Sequence, residues 1–300
     1  MLSVSSYWMR EPQKGIKYWL QSVKDFGFDA VELSYRLTHE DLRIAEECLE
    51  KIGLKVSSLH NFCPTPNDES SERHPSNHYR LSALDEHERQ QAVKWTKNTV
   101  DVAKRLKAGA VVIHAGSPDI EDIRSSSLIE LFEQGKAGTD EFMVTREKWL
   151  KLRRETIAPY IKAIEKTFTE LLPYAKDQNI KIGIETRYYP LEIPNCDEIG
   201  HFLNLFADQG LGYWHDVGHA EMNSRLGVTP HLNYLEKYKD FLIGVHLHGM
   251  TGRRDHYAPF EGDLDLNALL PYFGPNVLRV IESKPHASVE YMKEAIKKLS

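Results

Sequence analysis

The feature of this sequence that most limits its fold is an alternation. Short runs rich in apolar and β-branched residues recur at Leu2–Trp8, Ala30–Tyr35, Lys55–Phe62, Ala110–Gly116, Lys181–Arg187, Gly210–His215, Phe241–His248 and Val277–Glu282, with amphipathic segments between them. Between the first two runs, GIKYWLQSVKDFGF sets Ile16, Trp19, Leu20, Val23 and Phe26 at helical spacing, and Gly27 is placed to end the helix. Helical periodicity returns at Thr38–Ile52, Glu86–Leu106, Arg146–Asp177, Asp197–Phe206, Leu232–Tyr238, Leu266–Phe273 and Ser288–Leu299. Repeated βα units imply a parallel sheet, and eight of them are enough to close it into an α/β fold of the (β/α)8 TIM barrel type. An open doubly wound sheet would more often carry a GxGxxG turn after its first strand, and none is present. No Pro/Gly/Ser-rich linker divides the chain, so one domain over residues 1–300 is expected.

Composition narrows the class. Hydrophobic residues at 41% and charged residues at 27% give the balance of a water-soluble globular protein with a large core. A net charge of −6 supplies no basic footprint, so nucleic acid is not an expected partner. Cys48, Cys63 and Cys196 are scattered without CxxC spacing, which argues against a disulfide framework or a zinc knuckle and fits a reducing, cytoplasmic setting. The opening MLSVSSYWMREPQ lacks the basic and apolar regions of a signal peptide, and no apolar run approaches the roughly 20 residues of a membrane span. Assembly into a homo-oligomer is compatible with the sequence but is not specified by it.

Two connections are long. Cys63–Leu84 is rich in Pro, Asn, Ser and His, and Ser117–Thr145 is expected to hold a short helix around Ser126–Glu133. They follow the third and fourth strands, so in a barrel they overhang the C-terminal face, where such enzymes build their active sites.

Polar, metal-capable side chains sit at the last residues of otherwise apolar strands. KIGIETRY carries Glu185 near its end; LGYWHDVGHA carries Asp216, with His219 three residues beyond; FLIGVHLHGM carries His246 and His248 on one face; VLRVIESKP ends on Glu282. Each alone reads equally as a salt-bridged barrel group, but a parallel barrel gathers these strand ends around one axis. A shared divalent cation would offset the repulsion among three carboxylates, and an oxygen-rich set with one imidazole suits Mn²⁺, Zn²⁺, Mg²⁺ or Co²⁺ over a soft, thiolate-selected metal. Arg187, two residues past Glu185, and Lys284, two past Glu282, serve either a substrate or an ion pair. Glu32 and His248 are either substrate contacts or structural groups of the barrel. His60 in SSLHNF and His114 in VVIHAGS either ligate a second metal or hydrogen-bond within a polar lumen, and His256 in RRDHYAPFEG is placed to touch substrate or a loop carboxylate. Trp8 and Trp214 wall a pocket or fill the core. His74, His78, His87 and His215 carry no pattern and are read as surface or loop residues.

Taken in order, AVELSY, GIETR, HDVGH, GVHLHG, HYAPFEGDLDL and VIESKP resemble the motifs of the xylose isomerase-like barrel superfamily, from the first strand to the last helix. That superfamily spans sugar isomerases and epimerases and the endonuclease IV family of AP endonucleases. The resemblance implies that Glu185, Asp216, His246 and Glu282 are metal ligands, and that His219 serves substrate or a further metal. It also implies that Glu185 and Glu282 are the catalytic pair, passing a proton through an enediolate-like intermediate of a sugar or polyol, with Arg254 and His219 steadying substrate oxygens. In the endonuclease IV pattern, histidines matching His60 and His114 hold a second metal, while the position of His219 joins an Asp-x-His loop around a third. Here Asp255 adjoins His256 directly, a departure that counts against the third site. The alternatives to isomerisation are a phosphodiester hydrolase of that kind and a keto-inositol or hydroxy-acid dehydratase.

Overall fold

The computed structural model describes residues 1–67, 74–121 and 126–299, so parts of both long connections, 68–73 and 122–125, lie outside the described residues, as does Ser300. Its barrel strands are β1 (Leu2–Ser5), β2 (Ala30–Leu33), β3 (Lys55–His60), β4 (Ala110–Ile113), β5 (Lys181–Glu185), β6 (Leu211–Asp216), β7 (Leu242–Leu247) and β10 (Leu278–Ile281). They close in the order β1-β10-β7-β6-β5-β4-β3-β2, all neighbours parallel, which is the (β/α)8 TIM barrel expected from the alternation. Between β7 and β10 an antiparallel ribbon, β8 (Gly249–Thr251) with β9 (Arg254–Tyr257), leaves the barrel.

The surrounding helices are α1 (Gly15–Phe26), α2 (His39–Ile52), α3 (Glu86–Arg105), α4 (Ser126–Glu133), α5 (Asp140–Thr156), α6 (Ala158–Asp177), α7 (Cys196–Phe206), α8 (Val217–Arg225), α9 (His231–Tyr238) and α10 (Val289–Leu299). Their limits have local causes. α1 buries Ile16, Trp19, Leu20 and Val23 at helical spacing and ends where Gly27 takes φ +111. α2 and α7 open on reciprocal capping boxes, Thr38 with Asp41 and Asn195 with Glu198. None of the described helices is long and apolar enough to cross a membrane.

Three segments differ from the sequence expectation. The periodic stretch Arg146–Asp177 is two helices, because Pro159 in the first turn of α6 has no N–H with which to continue α5. Leu266–Phe273 forms two short 3-10 turns around Pro271 instead of a helix. α8 was not anticipated: its N-cap is Asp216 itself, whose carboxylate accepts the His219 N–H at 2.7 Å.

Below the strand ends the lumen is filled by Trp214, fully buried with Ala110, Val112 and Val280. Its indole needs glycine neighbours. A Cβ on Gly244 would come within 2.1 Å of Trp214 Cζ3, and one on Gly183 within 3.0 Å of Cε3. The ring lies 5.2 Å from the His246 ring and so forms the floor under the strand-end polar groups. Trp8 is buried in the main core and borders a separate pocket with Met9 and Phe26, so neither tryptophan walls the space above the strand-end polar groups.

A second polar set corrects another expectation. His215 is buried, not a surface residue, and sits in a chain: Thr186 Oγ1 to Tyr213 Oη 2.7 Å, Tyr213 Oη to His215 Nδ1 2.6 Å, His215 Nε2 to His231 Nε2 3.1 Å, and His231 Nδ1 to Glu221 Oε2 2.9 Å. One proton arrangement satisfies every link, with each group donating toward Glu221. Burial drives the His215 imidazole well below its usual range, in keeping with a neutral member of that chain. His78 is likewise buried, whereas His74 and His87 are exposed.

Two outcomes follow from this packing. Gly244→Ala should lower stability by about 1–3 kcal/mol, read as the midpoint of urea unfolding, because the new methyl overlaps the Trp214 ring. Glu221 accepts from His231 and Arg225, which hold its carboxyl down at about 2 against an ordinary 4.5, with His231 the larger cause. A lowered folded pKa contributes stability above the ordinary value that is lost as pH falls through the folded one. Thermal midpoints should therefore decline between pH 4.5 and about 2, and the decline should be shallower in Glu221→Gln.

Candidate metal centre and active-site cavity

The ends of β5, β6, β7 and the residue after β10 bring together Glu185, Asp216, His246 and Glu282. Asp216 and His246 are direct neighbours across the β6–β7 pair, and all four side chains are buried. Each offers one ligand atom, and these atoms all lie within 4.8 Å of one another. His246 Nδ1 is 2.7 Å from Glu185 Oε1, 3.3 Å from Glu282 Oε2 and 3.8 Å from Asp216 Oδ2. Ligand atoms about 2.0–2.2 Å from one ion stand roughly 3–4 Å apart, and the separations from His246 Nδ1 run from 2.7 to 3.8 Å.

The electrostatics also suit a cation. Burial opposes charge on His246, yet Glu282, Glu32 and Glu185 push its imidazole well above the ordinary value, so positive charge is favoured where the carboxylates meet. Burial would raise the carboxyls of Glu185 and Asp216, but facing histidines hold both low: His246 and His114 for Glu185, His219 and His248 for Asp216. Both therefore stand ionised, as ligands must.

Two further groups adjoin this one. His60 and His114 join Glu185, and His219 joins Asp255 and His256, again with ligand atoms within 4.8 Å. Glu185 is shared: Oε1 faces His246, while Oε2 lies 2.8 Å from His114 Nε2 and 3.4 Å from His60 Nε2. In all four added histidines Nδ1 lies against an acceptor oxygen: Asn61 O at 3.2 Å for His60, Asn77 Oδ1 at 3.2 Å for His114, Thr186 O at 2.8 Å for His219 and Glu282 O at 2.8 Å for His256. Donation from Nδ1 leaves Nε2 as the inward-facing lone pair, the pattern of ligating histidines.

The direct adjacency of Asp255 and His256 does not keep the third group apart. Asp255 directly precedes His256, and neighbours in a strand point to opposite faces. His256 takes φ +59, which breaks that alternation within β9 and lets both side chains meet His219.

Above these groups lies a cavity of about 620 Å³. Of the residues expected to touch substrate, Arg187, His219, Arg254 and His256 border it. Glu32 and His248 do not, which corrects that expectation; both are fully buried behind the ligands. His248 Nε2 stands 3.1 Å from Asp216 Oδ1, and its Nδ1 accepts the His256 N–H at 3.0 Å, so it donates to Asp216 and orients it. Arg187 pairs with Glu192 at 3.1 Å and reaches Glu185 at 3.5 Å, and Lys284 pairs with Asp255 at 3.0 Å. The long connections do overhang this face. His74, Asn77 and Arg80 from the first and Asp119 and Ile120 from the second border the cavity, and an Arg80–Asp119 ion pair joins the two. Sequence reasoning missed Tyr7, Tyr35, Tyr188 and Glu192 in the wall; each lies just past a strand end or in the following loop, an address that marks them only once the barrel is known.

A Sinorhizobium fredii protein designated y4fM, itself described as uncharacterized, is 22% identical over 270 residues, covering 85% of this chain and 76% of that one. The 3-keto-D-glucoside 4-epimerase YcjR of E. coli superposes with a TM-score of 0.70 at 13% identity, covering 99% of this chain and 98% of that one. A putative xylose isomerase from Rhodospirillum rubrum gives 0.68 at 16% identity, covering 99% and 97%. At such identities the structural likeness speaks for the fold alone. The family described as xylose isomerase-like TIM barrel matches residues 20–273, and the chain belongs to that family.

Proposed function

We propose that this protein is a single-domain, divalent-metal-dependent isomerase or epimerase of a sugar or polyol. One observation carries the reading: within the four-residue ligand group, Glu185 and Glu282 border the cavity, whereas Asp216 and His246 lie beneath it. The two carboxylates that could exchange protons with a substrate are thus the two that face one, and they come from strands three places apart in the barrel. The sugar epimerases and isomerases among the similar folds support the same substrate class.

Glu185, Asp216, His246 and Glu282 would hold the ion, which when bound supplies a Lewis acid for charge developing on adjacent carbonyl and hydroxyl oxygens. Glu185 takes a proton from the substrate carbon and Glu282 returns one, through an enediolate-like intermediate. Arg187, locked by Glu192, restrains Glu185 between these roles. His219 and Arg254 donate hydrogen bonds to substrate oxygens. Glu185→Gln and Glu282→Gln should each lower kcat by about 10²–10⁴-fold on the correct substrate.

A second reading rests on the two added ligand groups. His60, His114 and Glu185, with His219, Asp255 and His256, supply the side chains that a phosphodiester hydrolase resembling endonuclease IV needs for additional ions. Metal analysis of protein purified without chelators separates the two. One equivalent, lost in Glu185→Gln and kept in His114→Ala, supports the isomerase. Two or three equivalents, reduced in His114→Ala, support the hydrolase. Failure of the wild-type protein to bind any ion after addition of Mn²⁺ or Zn²⁺ would sink both. Activity on a panel of ketoses against an abasic-site DNA then assigns the reaction.

A further inference from the structure

We infer that Glu32, which is neither a ligand nor a wall of the cavity, is a positioning residue that sets which nitrogen of His246 is offered to the metal. The inference rests on the metal-dependent reading above and goes beyond it.

An imidazole has two nitrogens, and a ligand histidine must present the correct one with its lone pair free. His246 Nδ1 faces Glu185, Glu282 and Asp216, and its Nε2 faces the opposite way, 3.2 Å and 3.3 Å from the two Glu32 oxygens. Glu32 reaches it from β2 across the lumen; β1 and β10 stand between β2 and β7 in the barrel wall. The carboxylate is itself anchored. Its Oε2 accepts the Ser58 hydroxyl at 2.8 Å, and Ser58 is its register partner on β3 just past a one-residue slip between the strands. That slip aligns Ser58 instead of Ser57 with Glu32. The ring is also fenced, with Trp214 edge-on at 5.2 Å and the His60 ring parallel at 5.7 Å.

A buried carboxylate in this position accepts Nε2–H and excludes the tautomer in which Nδ1 carries the proton. It also makes the imidazole a stronger donor to a cation. Ser58, Glu32 and His246 thus form a file of side chains ending at the ligand group, in which only the last member touches the ion. Because Glu32 does not border the cavity, it has no route to a substrate.

The test uses the full-length protein and Zn²⁺ alone. In Glu32→Gln an acceptor oxygen remains but the charge is lost, and the Zn²⁺ Kd, measured by competition with a chromophoric chelator, should rise about 10-fold. In Glu32→Ala the acceptor is gone, and the rise should approach 100-fold. Ser58→Ala should shift Kd in the same direction by a smaller factor. Long-range ¹H–¹⁵N spectra of the imidazoles in Zn²⁺-loaded wild-type protein should show His246 coordinated through Nδ1 and protonated at Nε2. That spectrum tests the coordinating nitrogen even if Glu32→Ala fails to fold, and coordination through Nε2 overturns the proposal. So does a Kd within twofold of wild type in a folded Glu32→Gln. Wild-type protein that binds no Zn²⁺ overturns the metal reading itself, whereas tight wild-type binding with an unaffected Glu32→Gln overturns only the role of Glu32.

Discussion

The mutual repulsion of three carboxylates buried around one imidazole is the constraint on which the rest of this structure depends. Glu185, Asp216 and Glu282 are almost completely withdrawn from water and crowd His246 Nδ1. Such a set stays together only if its backbone cannot spread and if positive charge is available among the oxygens. The closed parallel barrel supplies the first condition, since moving one strand end disturbs two hydrogen-bonded neighbours. Trp214, wedged against Gly183 and Gly244, stiffens the lumen directly beneath. The proton on His246, whose imidazole is raised by its acidic neighbours, meets the second, and it is this proton that a bound cation would displace.

Support for the ligands is drawn from every direction. Glu32 lies behind His246, His248 behind Asp216, and Arg187 beside Glu185. Asp216 also caps α8, so the side chain that serves the ligand group starts the helix that carries His219. The start of α8 thereby holds the Asp216 carboxylate in place. The β8–β9 ribbon acts similarly from above: its His256 N–H is held by His248, and its Asp255 is tied to Lys284 beyond β10.

Much of this was legible in the sequence, for identifiable reasons. Strand periodicity and strand-end polarity are local signals, and they located Glu185, Asp216, His246 and Glu282 without knowledge of the barrel's dimensions. What local signals give is the face of a strand, not the depth below the rim. That is why the sequence leaves Glu32 and His248 open between substrate contact and barrel structure, although both are fully buried and do not border the cavity. Asp255 beside His256 departs from Asp-x-His spacing, and the left-handed backbone of His256 still brings both side chains to His219. His215 was misread because its polarity suggests solvent, while its partners Tyr213 and His231 come from elements that meet only in the fold. The helix over Arg146–Asp177 kept its periodicity across Pro159, where the missing N–H mattered more than the pattern.

Glu185 presents one oxygen to His246 and the other to His60 and His114. A carboxylate that faces two ways ties the neighbouring ligand groups into a single mechanical unit, since any rotation that favours one withdraws from the other. Under the proposed metal-dependent function, the number of ions this face could hold would turn on single histidines, His60 on β3 or His114 just after β4, with the barrel left intact. A change between one-ion and several-ion occupancy would then require no new architecture, only a different tenancy of the same shared side chain.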